Sequence, residues 1–203
     1  MPPRWAERLA EATRSHFRVS LTARNWMRPF TAPIAPFRPH LAGSWEGGCN
    51  VILVRKGRPG ATIAAHRKAV LSRLPERRVV SMVTTGHGLC LANFHASTGQ
   101  GATADVIEAA GLAVEWADGA PLVLGGDFNL RPRSCDTFEQ LERVHGLTGA
   151  TGPDAIDHLM VRGAGVIEPA TAWPDIRRDV PDPKTGLKLR LSDHAPVVSR
   201  ISA

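Results

Sequence analysis

The sequence predicts an α/β or α+β sandwich, with β-sheets packed face to face and helices outside them. Short apolar runs closed by turn residues recur along the chain and indicate strands that form pairs. Two stretches of helical periodicity, at 101–117 and 137–144, interrupt these runs. With 203 residues the chain is long enough for one well-packed domain and short for two, so we expect a single domain over 1–203.

The N-terminal segment is predicted to be a helix over 3–15. A proline stands in its first turn, and Trp5, Leu9 and Ala12 recur at helical spacing. The proline-rich stretch at 28–40 is expected to cross the surface or to form a loop on the substrate side.

Four strands are predicted between 49 and 94, arranged as two hairpins. Each strand is mostly apolar, and a glycine-containing turn separates the two members of each pair. The expected strands are 49–54 with 61–65, joined by a turn at 56–60, and 79–84 with 89–94, joined by a turn at 85–88.

The C-terminal half is predicted to alternate helices with strands. Ala104, Ile107 and Leu112 lie on a mixed helical face, which favours a helix packed against a sheet. The expected elements are a helix at 101–117, a strand at 121–124, a helix at 137–144, strands at 156–161 and 195–201, and a polar, proline-interrupted loop at 175–188.

The composition is typical of a soluble globular protein, with 43% hydrophobic and 22% charged residues. No apolar run approaches the length of a membrane span, and the first residues lack the apolar core of a signal peptide. We therefore expect a cytoplasmic protein, with a monomer as the default. The scattered Cys49, Cys90 and Cys135 favour incidental thiols over a zinc site or a disulfide framework.

The chain is basic, with a net charge of +6 and a sequence pI of about 10.0. Such a charge attracts phosphate-bearing or nucleic-acid partners electrostatically. The basic residues are spread along the chain, and the arginine doublets are at 77–78 and 177–178. A generally basic protein without such a partner is therefore an equal alternative.

The hexapeptide 125–130, Gly-Gly-Asp-Phe-Asn-Leu, is predicted to be the end of a buried strand and the loop after it. Because side chains alternate along an extended backbone, Asp127 and Asn129 should point one way and Phe128 into the core. A carboxylate beside an amide oxygen suits a hard cation with a phosphate-like substrate. The same residues suit an Asx-type turn, and this stretch alone leaves both interpretations open.

Three further polar clusters lie at the ends of predicted strands. Asn93 and His95 share one face at the end of a strand, although a histidine there is more often a surface residue. Asp157 enters an apolar strand, where an unpaired carboxylate is costly to bury, so it should have a partner. Asp193 and His194 precede the last strand, where a turn or a helix cap is the alternative role.

In chain order, Asn-x-His, Gly-Asp-Phe-Asn, Ile-Asp-His and Ser-Asp-His resemble the motifs of the endonuclease/exonuclease/phosphatase family, the DNase-I-like hydrolases. The resemblance runs from about 43 to 199 and is most specific in Gly-Asp-Phe-Asn and Ser-Asp-His-x-Pro-Val. It implies a four-layer α/β sandwich, with two central mixed β-sheets flanked by helices. It also implies an enzyme that hydrolyses phosphoester bonds with Mg²⁺ or Mn²⁺ as cofactor.

The resemblance implies a proton-transfer pair and a metal ligand. His194 would be the general base or proton carrier at the attacking water, because an ordinary histidine pKa of about 6.5 suits that task. Asp157 would orient His194 and stabilise its charged form. Asp193 is similar to the metal-binding aspartate of the family.

The remaining motif residues are implied to handle the phosphate. Asp127 and Asn129 would hold the attacking water, the phosphoryl oxygens or a metal ion. His95 would donate to a non-bridging oxygen as negative charge develops there, and Asn93 would contact the substrate beside it.

The family pattern also includes two N-terminal strands, of which the second ends in the glutamate that is the principal metal ligand. We recognise no such strand before the predicted helix, so we expect an N-terminally truncated fold that is weakly active or inactive. Glu7 and Glu11 are poor substitutes on the helix. Glu46 is a candidate to orient His95, with a solvated loop residue as the alternative.

The substrate is left open, because nucleases, abasic-site endonucleases, inositol-phosphate phosphatases and sphingomyelinases share these motifs. The basic charge and Trp26, Trp45 and Trp173 near predicted loops favour nucleic acid, since bases stack on aromatic rings. The same tryptophans suit core or loop anchors equally well. We expect a nuclease or phosphodiesterase. The alternatives are a phosphomonoesterase or lipid phosphodiesterase, and an impaired relative that binds a phosphate-bearing partner without cleaving it.

Overall fold

The computed structural model describes residues 3–22, 48–74, 76–190 and 192–202. Within these ranges the chain forms three α-helices, two 3₁₀ turns and eleven strands. In chain order they are α1 (Pro3–Ala12), β1 (Ser15–Leu21), β2 (Cys49–Arg55), β3 (Ile63–Ser72), β4 (Arg78–Thr85), β5 (Cys90–His95), α2 (Gly101–Ala117), β6 (Leu122–Asp127), a 3₁₀ turn (Pro132–Ser134), α3 (Thr137–His145), β7 (Asp157–Arg162), β8 (Gly165–Ala172), a 3₁₀ turn (Asp175–Arg177), β9 (Asp179–Pro181), β10 (Lys188–Arg190) and β11 (Val197–Ser202).

A five-stranded mixed sheet, with strand order β3-β4-β5-β6-β7, positions the candidate residues. All neighbouring strands in it are antiparallel except β5 and β6, which run parallel and are connected through α2. The ends of this parallel pair lie together, with His95 paired to Asp127 in the register. Antiparallel β7 begins at the same edge, where Asp157 is opposite Asp127.

Smaller sheets accompany the large one. The antiparallel pair β1–β2 packs over β4 and β5, and the antiparallel pair β8–β11 lies beside β7. A short ribbon of β9 and β10 is inserted between β8 and β11. The α/β class predicted from the sequence is confirmed.

The core lies between α2, α3 and one face of the five-stranded sheet. The buried side of α2 is almost entirely alanine, which allows the helix to lie close to the strands. Aromatic and aliphatic side chains fill the space beneath the site end of the sheet: Phe94, Leu124, Phe128, Phe138, Leu141 and Met160.

One buried acid links this core to the site end of the sheet. Asp105 of α2 is only 5% exposed, and its Oδ2 accepts a 2.7 Å hydrogen bond from the backbone N–H of Ser97. The segment that follows His95 is thereby held by α2.

Most predicted elements are present. The helices predicted at 101–117 and 137–144 and the strands at 49–54, 79–84, 89–94, 121–124, 156–161 and 195–201 have ends within three residues of those observed. The N-terminal helix begins at the predicted residue, but Trp5 and Leu9 are exposed while Ala6 and Ala10 are buried. The buried face of that helix is therefore not the one on which Trp5 and Leu9 lie.

The hairpin predicted at 56–60 was also wrong. β2 pairs with β1, and β3 pairs with β4, so the segment 56–60 connects two different sheets. The error has a local cause: β1, with apolar residues at alternate positions, was not predicted, and β2 was assigned to the nearest later strand.

The C-terminal part contains more regular structure than its composition indicated. β8 was not predicted, and the segment 175–188, expected to be a loop, contributes a 3₁₀ turn and most of the β9–β10 ribbon. The predictions for 28–40, Trp26, Trp45 and Glu46 lie outside the described residues. Within the described ranges, no helix has the length and apolar character that crossing a bilayer requires.

Gly126→Ala tests the tight approach of β5 and β6 at the site. Gly126 has a φ of +147°, and a Cβ there would overlap the carbonyl oxygen of Phe94. We expect the free energy of unfolding, measured by urea denaturation, to fall by at least about 2 kcal/mol. Gly152→Ala is the control, because nothing lies within 4 Å of a Cβ built there. Equal unfolding midpoints for the two variants would contradict this packing.

Candidate active site

The candidate site is built at the edge of the sheet where β5 and β6 end and β7 begins. His95, Asp127 and Asp157 are the terminal residues of these three strands. His194 reaches the same place from the segment that precedes β11. The rigid sheet thus fixes three of the four side chains, and the fourth depends on a loop.

His194 and Asp157 form a close hydrogen-bonded pair. The distance from Nδ1 of His194 to Oδ2 of Asp157 is 2.7 Å. This hydrogen bond is the main cause that raises the pKa of His194 above its ordinary value, and the negative charges of Asp127 and Asp193 act in the same direction. The carboxylate orients the ring with Nδ1–H towards itself, so Nε2 is the nitrogen that remains to accept or release a proton.

His95 and Asp127 form a second, looser pair. The distance from Nε2 of His95 to Oδ2 of Asp127 is 3.3 Å. The pKa of His95 is lowered, first by burial and then by the positive charge of Arg78, and the Asp127 carboxylate opposes this shift only in part. The environments therefore push the pKa values of the two histidines apart, an arrangement that assigns acid and base roles in active sites.

Asn129 connects the ends of β5 and β6. Its backbone has a φ of +51°, and its N–H donates to Oδ1 of Asp127 at 2.9 Å, which is an Asx-type turn. Its side-chain Nδ2 donates to the carbonyl of Ala96 at 3.1 Å. The Asx-type turn is therefore present, and it holds Asp127 at the candidate site; the cation interpretation of this stretch stays a prediction.

His158 has a structural role that the sequence did not indicate. It is 1% exposed and packs against the rings of Phe128 and Phe138. Its Nδ1 accepts from the N–H of Thr151, which leaves Nε2–H to donate to the carbonyl of Leu130 at 3.1 Å. Burial lowers the pKa of His158, so a neutral ring supports the loop after Asn129.

Three side chains of the site lie close enough to share a cation. Among the described residues, Asp127, Asp157 and His194 offer one ligand atom each within 4.8 Å of one another. The two partly exposed carboxylates offer the oxygen ligands that suit a hard divalent cation with several waters, and the imidazole adds a nitrogen. In the hydrogen bonds described above, each carboxylate oxygen can still accept a further contact.

The other predicted site residues lie nearby. Asp193 is exposed and stands outside the three-residue group, but it lines a cavity of about 370 Å³ together with Asp157 and His194. Asn93 lies on β5 opposite Gly125 of β6, two residues before His95 on the same side of the strand. The roles predicted for these residues remain predictions.

Asp157→Asn should lower the pKa of His194 towards its ordinary value, because the variant removes the carboxylate that raises it. An NMR titration of the His194 ring in EDTA measures this without metal. Asp154→Asn is the control, since Asp154 lines the same cavity but pairs with Arg133. A His194 pKa unchanged by Asp157→Asn, or moved equally by both variants, would contradict the assignment.

The same pair predicts a pH dependence of stability. The folded-state pKa of His194 is raised above the unfolded value of about 6.5, so the pair stabilises the fold fully below that pH. The stabilisation is lost as pH rises through the folded-state pKa. We expect Asp157→Asn to reduce the free energy of unfolding more at about pH 5.5 than at about pH 9. Urea denaturation at the two pH values provides the measurement.

Solved structures with the same fold have diverged far in sequence. An endonuclease/exonuclease/phosphatase family protein from Bacteroides thetaiotaomicron gives a TM-score of 0.64 at 16% identity, over 98% of this chain and 77% of that one. An endonuclease/exonuclease/phosphatase from Beutenbergia cavernae gives 0.64 at 20% identity, over 99% and 57%. The human Nocturnin catalytic domain with bound sulfate gives 0.61 at 14% identity, over 98% and 76%.

The fold of this chain is recognised by comparison of structures and not by comparison of sequences. No protein-family model matches the chain, and no curated protein matches it. The structural likenesses extend over nearly its whole length. The fold implied by the four motifs is therefore confirmed: the chain adopts the α/β sandwich fold of the endonuclease/exonuclease/phosphatase proteins.

Proposed function

We propose that this chain is a divalent-metal-dependent phosphoester hydrolase, and within that class a nuclease or phosphodiesterase that acts on nucleic acid. The observation that carries the proposal is the 2.7 Å pair of His194 and Asp157, placed beside Asp127 at one edge of the sheet. A histidine of raised pKa next to carboxylates that suit a cation can activate water for attack on a phosphate. Fold likeness to endonuclease/exonuclease/phosphatase proteins supports this assignment by analogy.

His194 is the proposed proton acceptor. Its Nδ1–H is donated to Asp157, so Nε2 takes the proton of the attacking water as the new phosphorus–oxygen bond forms. The bond to the leaving oxygen then breaks on the opposite side of phosphorus, where that oxygen takes a proton from water, and Nε2 returns its proton to solvent. Asp157 stabilises the imidazolium throughout, and the raised pKa of His194 expresses this stabilisation.

The phosphate is held by the residues at the ends of β5 and β6. His95 is the proposed donor to a non-bridging oxygen, and its lowered pKa favours the neutral ring. The 3.3 Å contact to Asp127 is long enough to be exchanged for a phosphoryl oxygen when substrate binds. Asn93 and Asn129 are the proposed amide contacts to the substrate.

Asp127, with Asn129 and Asp193 as further ligands, is proposed to hold Mg²⁺ or Mn²⁺. Bound there, the cation supplies Lewis-acid stabilisation of charge on the phosphoryl oxygens. Of these ligands, Asp127 belongs to the three-residue donor group described above, whose other members, Asp157 and His194, are assigned to proton transfer.

Nucleic acid is the proposed substrate because the chain is basic and because Trp173 offers an aromatic ring near the candidate site. The net charge of +6 favours a polyanion. Trp173 directly follows β8, and its N–H donates to the carbonyl of Pro196 in the segment that carries His194. The guanidinium of Arg177 lies 4.6 Å from the centroid of the Trp173 ring. The half-buried Trp173 ring offers a surface on which a base could stack in place of the Arg177 guanidinium.

A binding protein without hydrolytic activity is the second candidate. The specific observation in its favour is that the three-residue donor group among the described residues offers only two carboxylates, and one of them, Asp157, is already hydrogen-bonded to His194. Fewer carboxylates weaken cation binding. The two candidates make opposite predictions for His194, which the following experiment compares.

His194→Ala should lower Mg²⁺-dependent hydrolysis of a phosphodiester such as plasmid DNA by about 10²–10⁴-fold, the usual effect of losing a general base. His87→Ala is the matched control, because His87 lies in the β4–β5 turn at the opposite end of the sheet. EDTA should abolish the wild-type rate, and added Mg²⁺ or Mn²⁺ should restore it. Equal rates for wild type and His194→Ala would refute the hydrolase and leave the binding protein.

Substrate class is tested with a panel of duplex DNA, single-stranded DNA, RNA, inositol phosphate and sphingomyelin at equal phosphate concentration. We expect the highest kcat/KM on a nucleic acid and a steep fall of that value with added salt, since counterion release drives the binding. A preference for inositol phosphate or lipid would overturn the nucleic-acid assignment while leaving the hydrolase intact.

A further inference from the structure

His194 is carried by a segment with little regular structure of its own. The described residues 192–196 precede β11 and belong to no helix or strand. Within the segment, the N–H of His194 donates to Oγ of Ser192 at 3.1 Å. At its far end, the N–H of Trp173 donates to the carbonyl of Pro196 at 2.8 Å. The side before His194 therefore needs another support if the imidazole is to remain against Asp157.

Arg178 provides contacts at that point. Its Nη2 donates to the carbonyl of Asp193 at 2.7 Å and to the carbonyl of Ser192 at 3.1 Å. These are the two residues immediately before His194, so a single guanidinium holds the backbone on which the imidazole depends. The Arg178 side chain is only 13% exposed and lines the same cavity as His194 and Asp157.

The guanidinium is itself held in place by Asp175. Nη1 of Arg178 donates to Oδ1 of Asp175 at 2.9 Å, and Arg190 of the ribbon reaches the same oxygen at 3.1 Å. Asp175 is 77% exposed, so this ion pair is screened by solvent and adds little stability by itself. Its geometric effect is to fix the direction of the planar group, which places Nη2 at the two carbonyls.

We propose that Arg178 is a positioning residue, which keeps His194 in hydrogen-bonding contact with Asp157 by fixing the two carbonyls before it. This proposal adds a residue to the site of the proposed function and rests on that function only for its effect on rate. Arg178 does not touch the reacting atoms, and it acts through the backbone of Ser192 and Asp193. The β9–β10 ribbon thereby becomes a support of the site.

The chemistry of arginine explains why this residue type suits the position. Two N–H groups on one planar nitrogen can meet two neighbouring carbonyls while the other nitrogen meets a carboxylate. Lysine offers three donors from a single flexible ammonium group, so it can satisfy the carbonyls but cannot be oriented by Asp175 in the same way. We therefore expect Arg178→Lys to retain part of the function that Arg178→Ala removes.

The test follows the Nδ1–H proton of His194 by NMR in metal-free protein with EDTA. In the wild type this proton is donated to Asp157 and should give a downfield signal protected from exchange with water. Arg178→Ala should broaden the signal and accelerate its exchange by about tenfold or more, because the loop opens locally while the sheet remains folded. Arg178→Lys should give an intermediate rate.

Arg177→Ala is the matched control. It removes the same charge from the adjacent position, but the Arg177 guanidinium lies over Trp173 instead of at the carbonyls. The control should therefore leave the His194 signal and its exchange rate unchanged. Hydrogen exchange of the β4 and β5 amides reports in each variant whether the five-stranded sheet remains intact.

Rates on a phosphodiester then separate this proposal from the proposed function. In an active enzyme, Arg178→Ala should lower kcat by about 10–100-fold with a smaller change in KM, which is the usual cost of losing an indirect support. An inactive wild type whose Nδ1–H signal is lost in Arg178→Ala supports the positioning role and refutes the hydrolase. A protected signal in both Arg178→Ala and Arg178→Lys overturns the positioning role, whatever the rates. If Arg178→Ala does not fold, Arg178→Lys alone decides: an exchange rate equal to that of Arg177→Ala overturns it.

Discussion

The parallel pairing of β5 with β6 is the constraint on which the candidate site depends. Parallel strands end at the same edge of a sheet, so the register brings His95 and Asp127 together without any contribution from loops. The close backbone approach at Gly126 preserves that register, and β7 adds Asp157 by antiparallel pairing. Of the four described side chains at the site, His194 comes from outside the sheet, where it contacts Asp157 and where Arg178 contacts the carbonyls of the two preceding residues.

The sequence predicted that the candidate residues lie at strand ends more accurately than it predicted which strands pair, and the roles of those residues stay predictions. Asp127 ends the largely buried β6, Asp157 begins the largely buried β7, and His194 precedes the partly exposed β11, so local pattern sufficed to place them at strand ends. The pairing of β1 with β2 joins residues far apart in the chain, and short-range turn signals cannot reveal such a partner. β8 was missed because it is exposed along most of its length and lacks the apolar pattern of a core strand.

The contacts that organise the site also could not be predicted from sequence patterns. Arg178 acts on backbone carbonyls, and any residue type supplies a carbonyl, so no motif marks its partners. His158 belongs to a motif by position, yet its aromatic neighbours Phe128 and Phe138 come from two other segments. The electrostatic difference between His95 and His194 likewise arises from burial and neighbouring charges, which exist only in the folded chain.

The buried neutral ring of His158 has a consequence for mild acid. A histidine whose pKa is lowered in the folded state makes unfolding more favourable as pH falls below about 6.5, because the unfolded chain takes up the proton more readily. The pair of His194 and Asp157 already contributes its full stabilisation below that pH. Acidification below about pH 6.5 therefore weakens the support beneath the loop after Asn129 and leaves the contribution of the His194–Asp157 pair unchanged. The residues that position Asn129 and those that position His194 thus differ in their sensitivity to mild acid.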